Sequence, residues 1–306
     1  MKATREGFGE AMLELGKRNK SIVALSGDLR ESLRMAEFGK AYPERFIEVG
    51  VAEQNMAGVA AGMALCGKIP FICSFAVFSP GRNWDQIRVS VAYTNANVKI
   101  IGGHTGIMVG EDGATHQALE DIALMRALPN MVVVVPADYE QAKKATMALA
   151  DYVGPAYMRL TRPKSPVFTG GSPFQIGKAQ VIKEGRDITI FACGPLVYQA
   201  LLAAQEFDES VDVEVVNVHT IKPLDVETIV RSAKKTGRVI TLEDHQINGG
   251  LGGAIAEVLG EKQPTIMRRM GMKDIFGESG DWEELWKKYG LDKNGIIKNI
   301  KEMLKK

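Results

Sequence analysis

Along the chain, short continuous apolar runs alternate with segments whose apolar residues recur at helical spacing. Ile22–Ser26 (IVALS), Phe46–Val49, Ile69–Cys73, Val98–Ile101, Met131–Val135 and Ala156–Leu160 read as strands. Residues 4–19, Glu53–Cys66, Trp84–Thr94, Ala118–Arg126 and Tyr139–Tyr152 read as helices between them. The rhythm stops at Arg162–Gly177 (RPKSPVFTGGSPFQIG), which holds three prolines and three glycines and no sustained period. It restarts with strands at Ile188–Cys193, Val213–Val218 and Val239–Leu242, and helices at Val197–Gln205, Val226–Lys235 and Gly252–Leu259. Strands that are apolar on both faces, separated by helices, imply an α/β fold with parallel sheets covered on both sides. The expected organisation is a first domain over 1–165, a linker over 166–186 and a second domain over 187–306, each a mostly parallel sheet with helices on both faces. Helix Glu53–Cys66 is apolar on nearly every face and is expected to be buried.

Composition narrows the function classes. A length of 306 residues suits about two domains, each able to bury a core without disulfide or metal staples. With 38 basic against 37 acidic side chains, there is no electrostatic case for binding nucleic acid or an acidic membrane. Lys301, Lys305 and Lys306 read as the solvated face of a last helix. Cys66, Cys73 and Cys193 form no Cys-x-x-Cys pair, which disfavours a disulfide framework and points to a reducing compartment. The N-terminal stretch has no signal-peptide core, and no run approaches the ~18 apolar residues of a membrane span. A soluble, cytoplasmic protein is expected.

In sheets of this kind, ligands sit beyond the carboxyl ends of the strands, so chemistry is sought in the loops that follow them. Glu53 opens a small-residue apolar helix; it could simply complement the helix dipole, or be a buried carboxyl of raised pKa that holds a proton for a partner nitrogen. Phe75 and Phe78 lie three apart in a loop broken by Pro80 and Gly81; they could be core, or stack on a flat ligand ring. The loop from His104 to Gln117 gathers His104, Glu111, Asp112 and His116 among glycines. The histidine spacing fits no helical zinc site, and alternating calcium-type oxygen ligands are missing, so no metal site is expected in this chain. Thr115 could cap a helix beginning near Gln117, or the loop could be a polar substrate site. Arg159 and Arg162 could pair with a phosphate or carboxylate, or form ordinary salt bridges. Gly250-Leu251-Gly252-Gly253-Ala254-Ile255 has Ile where a dinucleotide fingerprint needs its third glycine, and no Walker-type phosphate loop is present.

The ordered set GVAEQNMAGVAAGMAL, SFAVFSPGR, GHTGIMVGEDGATHQALED and MRLTRP resembles the pyrimidine-binding domain of thiamine diphosphate enzymes, specifically transketolase. The segments VVNVHTIKPLD and TLEDHQINGGLGGAIAE are similar to the C-terminal domain of the same superfamily, so the resemblance runs over essentially the whole chain. The family's diphosphate- and Mg²⁺-binding segment, Gly-Asp-Gly followed later by Asn, does not occur here. The chain therefore resembles the C-terminal half of a split transketolase. A separate N-terminal subunit would carry the diphosphate and Mg²⁺ site, and a cytoplasmic α2β2 assembly would serve pentose interconversion.

The resemblance implies transfer of a two-carbon ketol unit from a ketose phosphate to an aldose phosphate through thiamine diphosphate. It assigns Glu53 to the pyrimidine N1′, Phe75 and Phe78 to the pyrimidine pocket with Phe78 the stacking ring, and Asp28 to the cofactor's surroundings. His104 and His116 fall on catalytic substrate-loop histidines, Asp112 on the carboxylate that reads a substrate hydroxyl, and Ser32 with Arg162 on phosphate contacts. Where the family often places Tyr, this chain has Gly81, so Arg82 or Trp84 would form that edge. Alternative readings are the β subunit of a 2-oxoacid dehydrogenase E1 component, a deoxyxylulose-phosphate synthase-like half, and a non-catalytic relative.

Overall fold

The computed structural model describes residues 1–207 and 211–305. The first half runs α1 (Thr4–Arg18), β1 (Ile22–Ser26), α2 (Ala36–Ala41), β2 (Phe46–Glu48), α3 (Glu53–Leu65), β3 (Ile69–Phe75), α4 (Trp84–Gln86) and, after a π-helical stretch over Ile87–Tyr93, β4 (Lys99–Gly103). It continues through α5 (Asp121–Arg126), β5 (Val132–Val134), α6 (Tyr139–Asp151) and β6 (Ala156–Arg159). The second half comprises β7 (Gln180–Lys183), β8 (Ile188–Ala192), α7 (Leu196–Gln205), β9 (Val213–Asn217), β10 (Thr220–Lys222), α8 (Val226–Thr236) and β11 (Arg238–Gln246). It ends with α9 (Leu251–Lys262), β12 (Ile266–Met272), α10 (Trp282–Tyr289) and α11 (Lys293–Leu304).

The apolar runs become central strands because both faces are covered: β1, β4, β5 and β6 are buried along their whole lengths. They build a sheet of order β10-β5-β6-β4-β3-β1-β2, in which only β10 is antiparallel. Ser26 pairs with Cys73 and Cys73 with Ile101, so the ends of β1, β3 and β4 lie side by side and their loops gather at one sheet edge. On one face Phe8 and Met12 of α1 and Ala142 of α6 pack against Ile22, Phe71 and Ile101. On the other, Met56 and Ala57 of α3 pack against Leu25, Ile72 and Ile100, and this cluster continues through Val133 into Phe191, Val216 and Leu251 of the second half. The second sheet, β12-β11-β8-β9-β7, is parallel except at its β7 edge.

Several sequence expectations change. Helix α3 is half-exposed: it buries Glu53, Met56, Ala57, Ala60 and Ala61 but turns Gln54, Asn55, Gly58, Gly62 and Leu65 outward. Residues 113–120 are mostly turn and bend, and α5 starts only at Asp121; the Thr115 hydroxyl bonds the Asp112 carbonyl at 3.3 Å instead of capping a helix. Within 166–186, Gln180–Lys183 is a half-buried edge strand paired with β9, its four-residue run too short to stand out from the surrounding turns. Strands β10 and β12 and helices α2, α10 and α11 were not anticipated as bounded elements. Lys301 and Lys305 are exposed, Lys301 on α11; Lys306 lies outside the described residues. Among the described residues no helix is long and apolar enough to cross a membrane.

Arg159 is a structural residue. Its Nε donates to Asp121 Oδ2 at 2.8 Å and its Nη2 to the Asp244 carbonyl at 2.8 Å, while Tyr157 donates to the same Asp121 oxygen at 2.7 Å. The guanidinium is buried where the two halves meet, so it is unavailable to a ligand.

His219, at the bend between β9 and β10, is 2% exposed and packs on Phe174 with ring centres 4.5 Å apart. Burial lowers its pKa to about 4, with Asp225 opposing the shift. The folded imidazole is thus the weaker base: its contribution to stability is full above the unfolded value near 6.5 and is lost as pH falls toward 4. Urea unfolding of a His219→Asn variant, compared with the unaltered chain, is expected to show that contribution vanish. Between pH 6 and 4.5 the difference in unfolding free energy should change by about 1.4 kcal/mol per pH unit. A pH-independent difference would refute the assignment.

Candidate active site

The loops after β1, β3, β4 and β6 meet at the carboxyl edge of the first sheet. Phe75 ends β3, and its ring stacks on His104 with centres 3.8 Å apart and on Phe78 at 6.1 Å. His116 closes the group edge-on, 5.6 Å from Phe78 and 6.2 Å from Phe75. Residues 75, 78, 104 and 116, distant in sequence, thus form one aromatic cluster. His104 is held at φ 53°, the left-handed region that non-glycine residues enter at a cost, and such strain concentrates at functional sites.

Glu53 sits at the first turn of α3 with its side chain 1% exposed. Arg82 Nη1 donates to Oε2 at 2.8 Å, whereas Oε1 is buried with no hydrogen-bond partner. Asn83 Nδ2 anchors the Glu53 carbonyl at 3.1 Å. The Arg82 guanidinium also lies over the Phe78 ring, 4.7 Å from its centre, which ties the carboxylate to the aromatic cluster. Trp84 is not part of this edge: its Nε1 bonds the Leu124 carbonyl at 3.1 Å and its ring packs into the core.

A cationic flank completes the site. Arg5 Nη1 donates to the Ser32 carbonyl at 2.8 Å and approaches His104 Nε2 at 3.5 Å. Arg162 Nη1 donates to the Val109 carbonyl at 2.9 Å and to Glu111 at 3.1 Å, with Asp112 at 3.8 Å. Burial, then Arg5 and Arg162, lower the His104 pKa to about 3, so this imidazole is neutral at physiological pH. His116 Nδ1 is 2.9 Å from the Thr115 hydroxyl. Asp28 stands apart: it is exposed at φ 62°, and its backbone N–H bonds Glu48 at 2.7 Å.

Two contributors escaped the sequence reading. Arg5 sits in an ordinary charged turn of α1, ninety-nine residues from the histidine it meets, and no local pattern marks it. Asp244, from β11, accepts from the backbone N–H groups of Ile107 at 2.9 Å and Met108 at 3.4 Å, so the second half pins the histidine loop. The fit is close: Gly106 has φ 69°, and a Cβ there would lie 2.2 Å from Asp244 Oδ2. Among the described residues no group of three or more His, Cys, Asp or Glu is placed to hold a metal ion.

The outer side of α3 is open. Along the helix that Glu53 opens, Gly58 and Gly62 have nothing within 4 Å of their Cβ positions, and Val51, Leu65 and Tyr93 are 71%, 70% and 85% exposed. The π-helical stretch that carries Tyr93 packs against α3.

Residues 1–167 match the transketolase pyrimidine binding domain, and residues 177–296 match the transketolase C-terminal domain. The chain is 47% identical over 310 residues to a protein of Methanocaldococcus jannaschii provisionally named a transketolase C-terminal section, covering 100% of this chain and 97% of that one. It is 43% identical over 301 residues to a 6-deoxy-6-sulfo-D-fructose transketolase subunit of Clostridium sp. (strain MSTE9), covering 98% and 94%. A solved structure described as a split gene transketolase, inactive beta4 tetramer, superposes with a TM-score of 0.93 at 45% identity, covering 100% of this chain and 99% of that one.

Proposed function

Because the chain belongs to the transketolase family, we propose that it is the C-terminal subunit of a split, thiamine-diphosphate-dependent transketolase. It moves a two-carbon ketol unit from a ketose phosphate to an aldose phosphate. The observation that carries the reading is the buried, unpartnered Oε1 of Glu53 beside the Phe75–Phe78 pair. A lone buried acceptor next to aromatic rings suits a flat heterocycle that brings its own N–H. The aminopyrimidine of thiamine fits this description, with Glu53 holding or sharing the proton at N1′ and Phe75 and Phe78 lining the ring.

Thiamine diphosphate, when bound, supplies a nucleophilic carbon and an internal amine base. The chain's own residues would then orient the sugar. Neutral His104 donates or accepts a hydrogen bond without adding charge, and His116, half-exposed at the mouth, exchanges protons with substrate oxygens. Asp112 reads a substrate hydroxyl, and Arg162, with Arg5 and Ser32 across the loop, receives the phosphate. Asp28, exposed after β1, would meet the cofactor's remaining parts.

The diphosphate and Mg²⁺ would sit on a separate N-terminal subunit. Val51 just before α3, Leu65 near its end and Tyr93 on the π-helical stretch packed against it are exposed large side chains, and they support such a partner, since exposed apolar side chains grouped on one surface mark an interaction site. An α2β2 assembly in the cytoplasm, where Cys66, Cys73 and Cys193 would remain free thiols, is the proposed state. Mixed with an N-terminal transketolase subunit, thiamine diphosphate and Mg²⁺, the chain is expected to convert a ketose phosphate and an aldose phosphate into the products of two-carbon transfer. Decarboxylation of a 2-oxoacid without ketol transfer would refute the reading in favour of an E1 β subunit.

A further inference from the structure

The turn after β3 departs from the aromatic pattern expected of it, and the departure has a steric reason. A Cβ on Gly81 would lie 2.0 Å from the Val77 carbonyl oxygen, so this backbone admits no ring at position 81. The next residue is fixed at both ends. Arg82 N–H bonds the Phe78 carbonyl at 2.8 Å, and Gln54 Nε2 donates to the Arg82 carbonyl at 3.4 Å. Its guanidinium spans from the face of Phe78 to Glu53 Oε2, and it meets only one of the two carboxylate oxygens.

Resting on the functional reading above, we propose that Arg82 is a positioning residue for thiamine diphosphate. It takes the place of the missing aromatic at the pyrimidine's edge and clamps Oε2 of Glu53, so that Oε1 is left directed at the ring nitrogen. A single-point clamp suits this task. A guanidinium gripping both oxygens would occupy the acceptor the cofactor needs, whereas no cation at all would leave the carboxylate free to rotate about its last bond. Asn83 reinforces the clamp by fixing the Glu53 backbone and donating to Ser79 Oγ at 3.2 Å.

The test compares unaltered, Arg82→Ala and Arg82→Lys chains, each assembled with the N-terminal subunit, by direct calorimetric titration with thiamine diphosphate in Mg²⁺. Arg82→Ala is expected to weaken cofactor binding about tenfold, the scale of one charge-assisted hydrogen bond. The KM for each sugar phosphate and the elution volume of the complex should stay unchanged. Arg82→Lys, which keeps the charge and loses the planar stack, should recover part of the affinity. Equal affinities in all three proteins would overturn the assignment, and so would tighter binding by Arg82→Ala, because the guanidinium would then be an occupant that the cofactor must displace. Failure of the unaltered complex to bind thiamine diphosphate would overturn the functional reading, and this proposal with it.

Discussion

Replacing Glu53 with Gln in the assembled complex is expected to lower kcat for the proposed ketol transfer by roughly 10²–10⁴-fold, the usual worth of a positioned proton-transfer group. The substitution is isosteric, so the packing of α3 on β1 and β3 is kept. The amide oxygen can still accept from Arg82, but the other end becomes an NH₂ group that cannot take or share a proton at a ring nitrogen. Melting temperature and assembly with the partner should be nearly unchanged, which separates loss of chemistry from loss of fold. Near-full activity in this variant would remove Glu53 from the proton-sharing role, whatever else binds there.

The second large effect concerns the chain by itself. Given thiamine diphosphate, Mg²⁺ and both sugar phosphates, the purified subunit is expected to show no turnover above background, and addition of the N-terminal subunit should restore it. The reasons are a sequence without the Gly-Asp-Gly…Asn segment and the exposure of Val51, Leu65 and Tyr93 on and around α3. Robust turnover by the isolated chain would contradict the two-subunit arrangement.

Legibility in the sequence followed physical scale. Runs such as IVALS and IPFIC announced themselves because both of their faces are buried, which leaves no polar alternation to confuse with helix, although the strand begun by IPFIC runs on through Phe75. Strands β7 and β10, four and three residues long, carry too few side chains for any period. Strand β12 has Arg268 and Arg269 at its centre because it lies at the sheet's edge, where long cationic side chains reach water. The exposure of α3 was misread for a different reason: small and apolar residues look alike whether they face a core or another polypeptide. The aromatic cluster could be anticipated because its loops follow successive strands, but Arg5 could not. Its meeting with Ser32 and His104 depends on where α1 crosses the sheet, and that crossing is decided by tertiary packing.

Strand β10 has a consequence for anyone cutting and rejoining these proteins. Although it follows the proline- and glycine-rich stretch by some forty residues in chain order, it completes the first sheet by pairing Thr220 with Val134 and Lys222 with Val133. The two halves are therefore not interchangeable cassettes. A chimera joined anywhere in 166–186 imports, with its second half, the foreign outermost strand of its own first sheet. Compatibility at that three-residue seam, more than the choice of linker, is what a graft between relatives has to preserve.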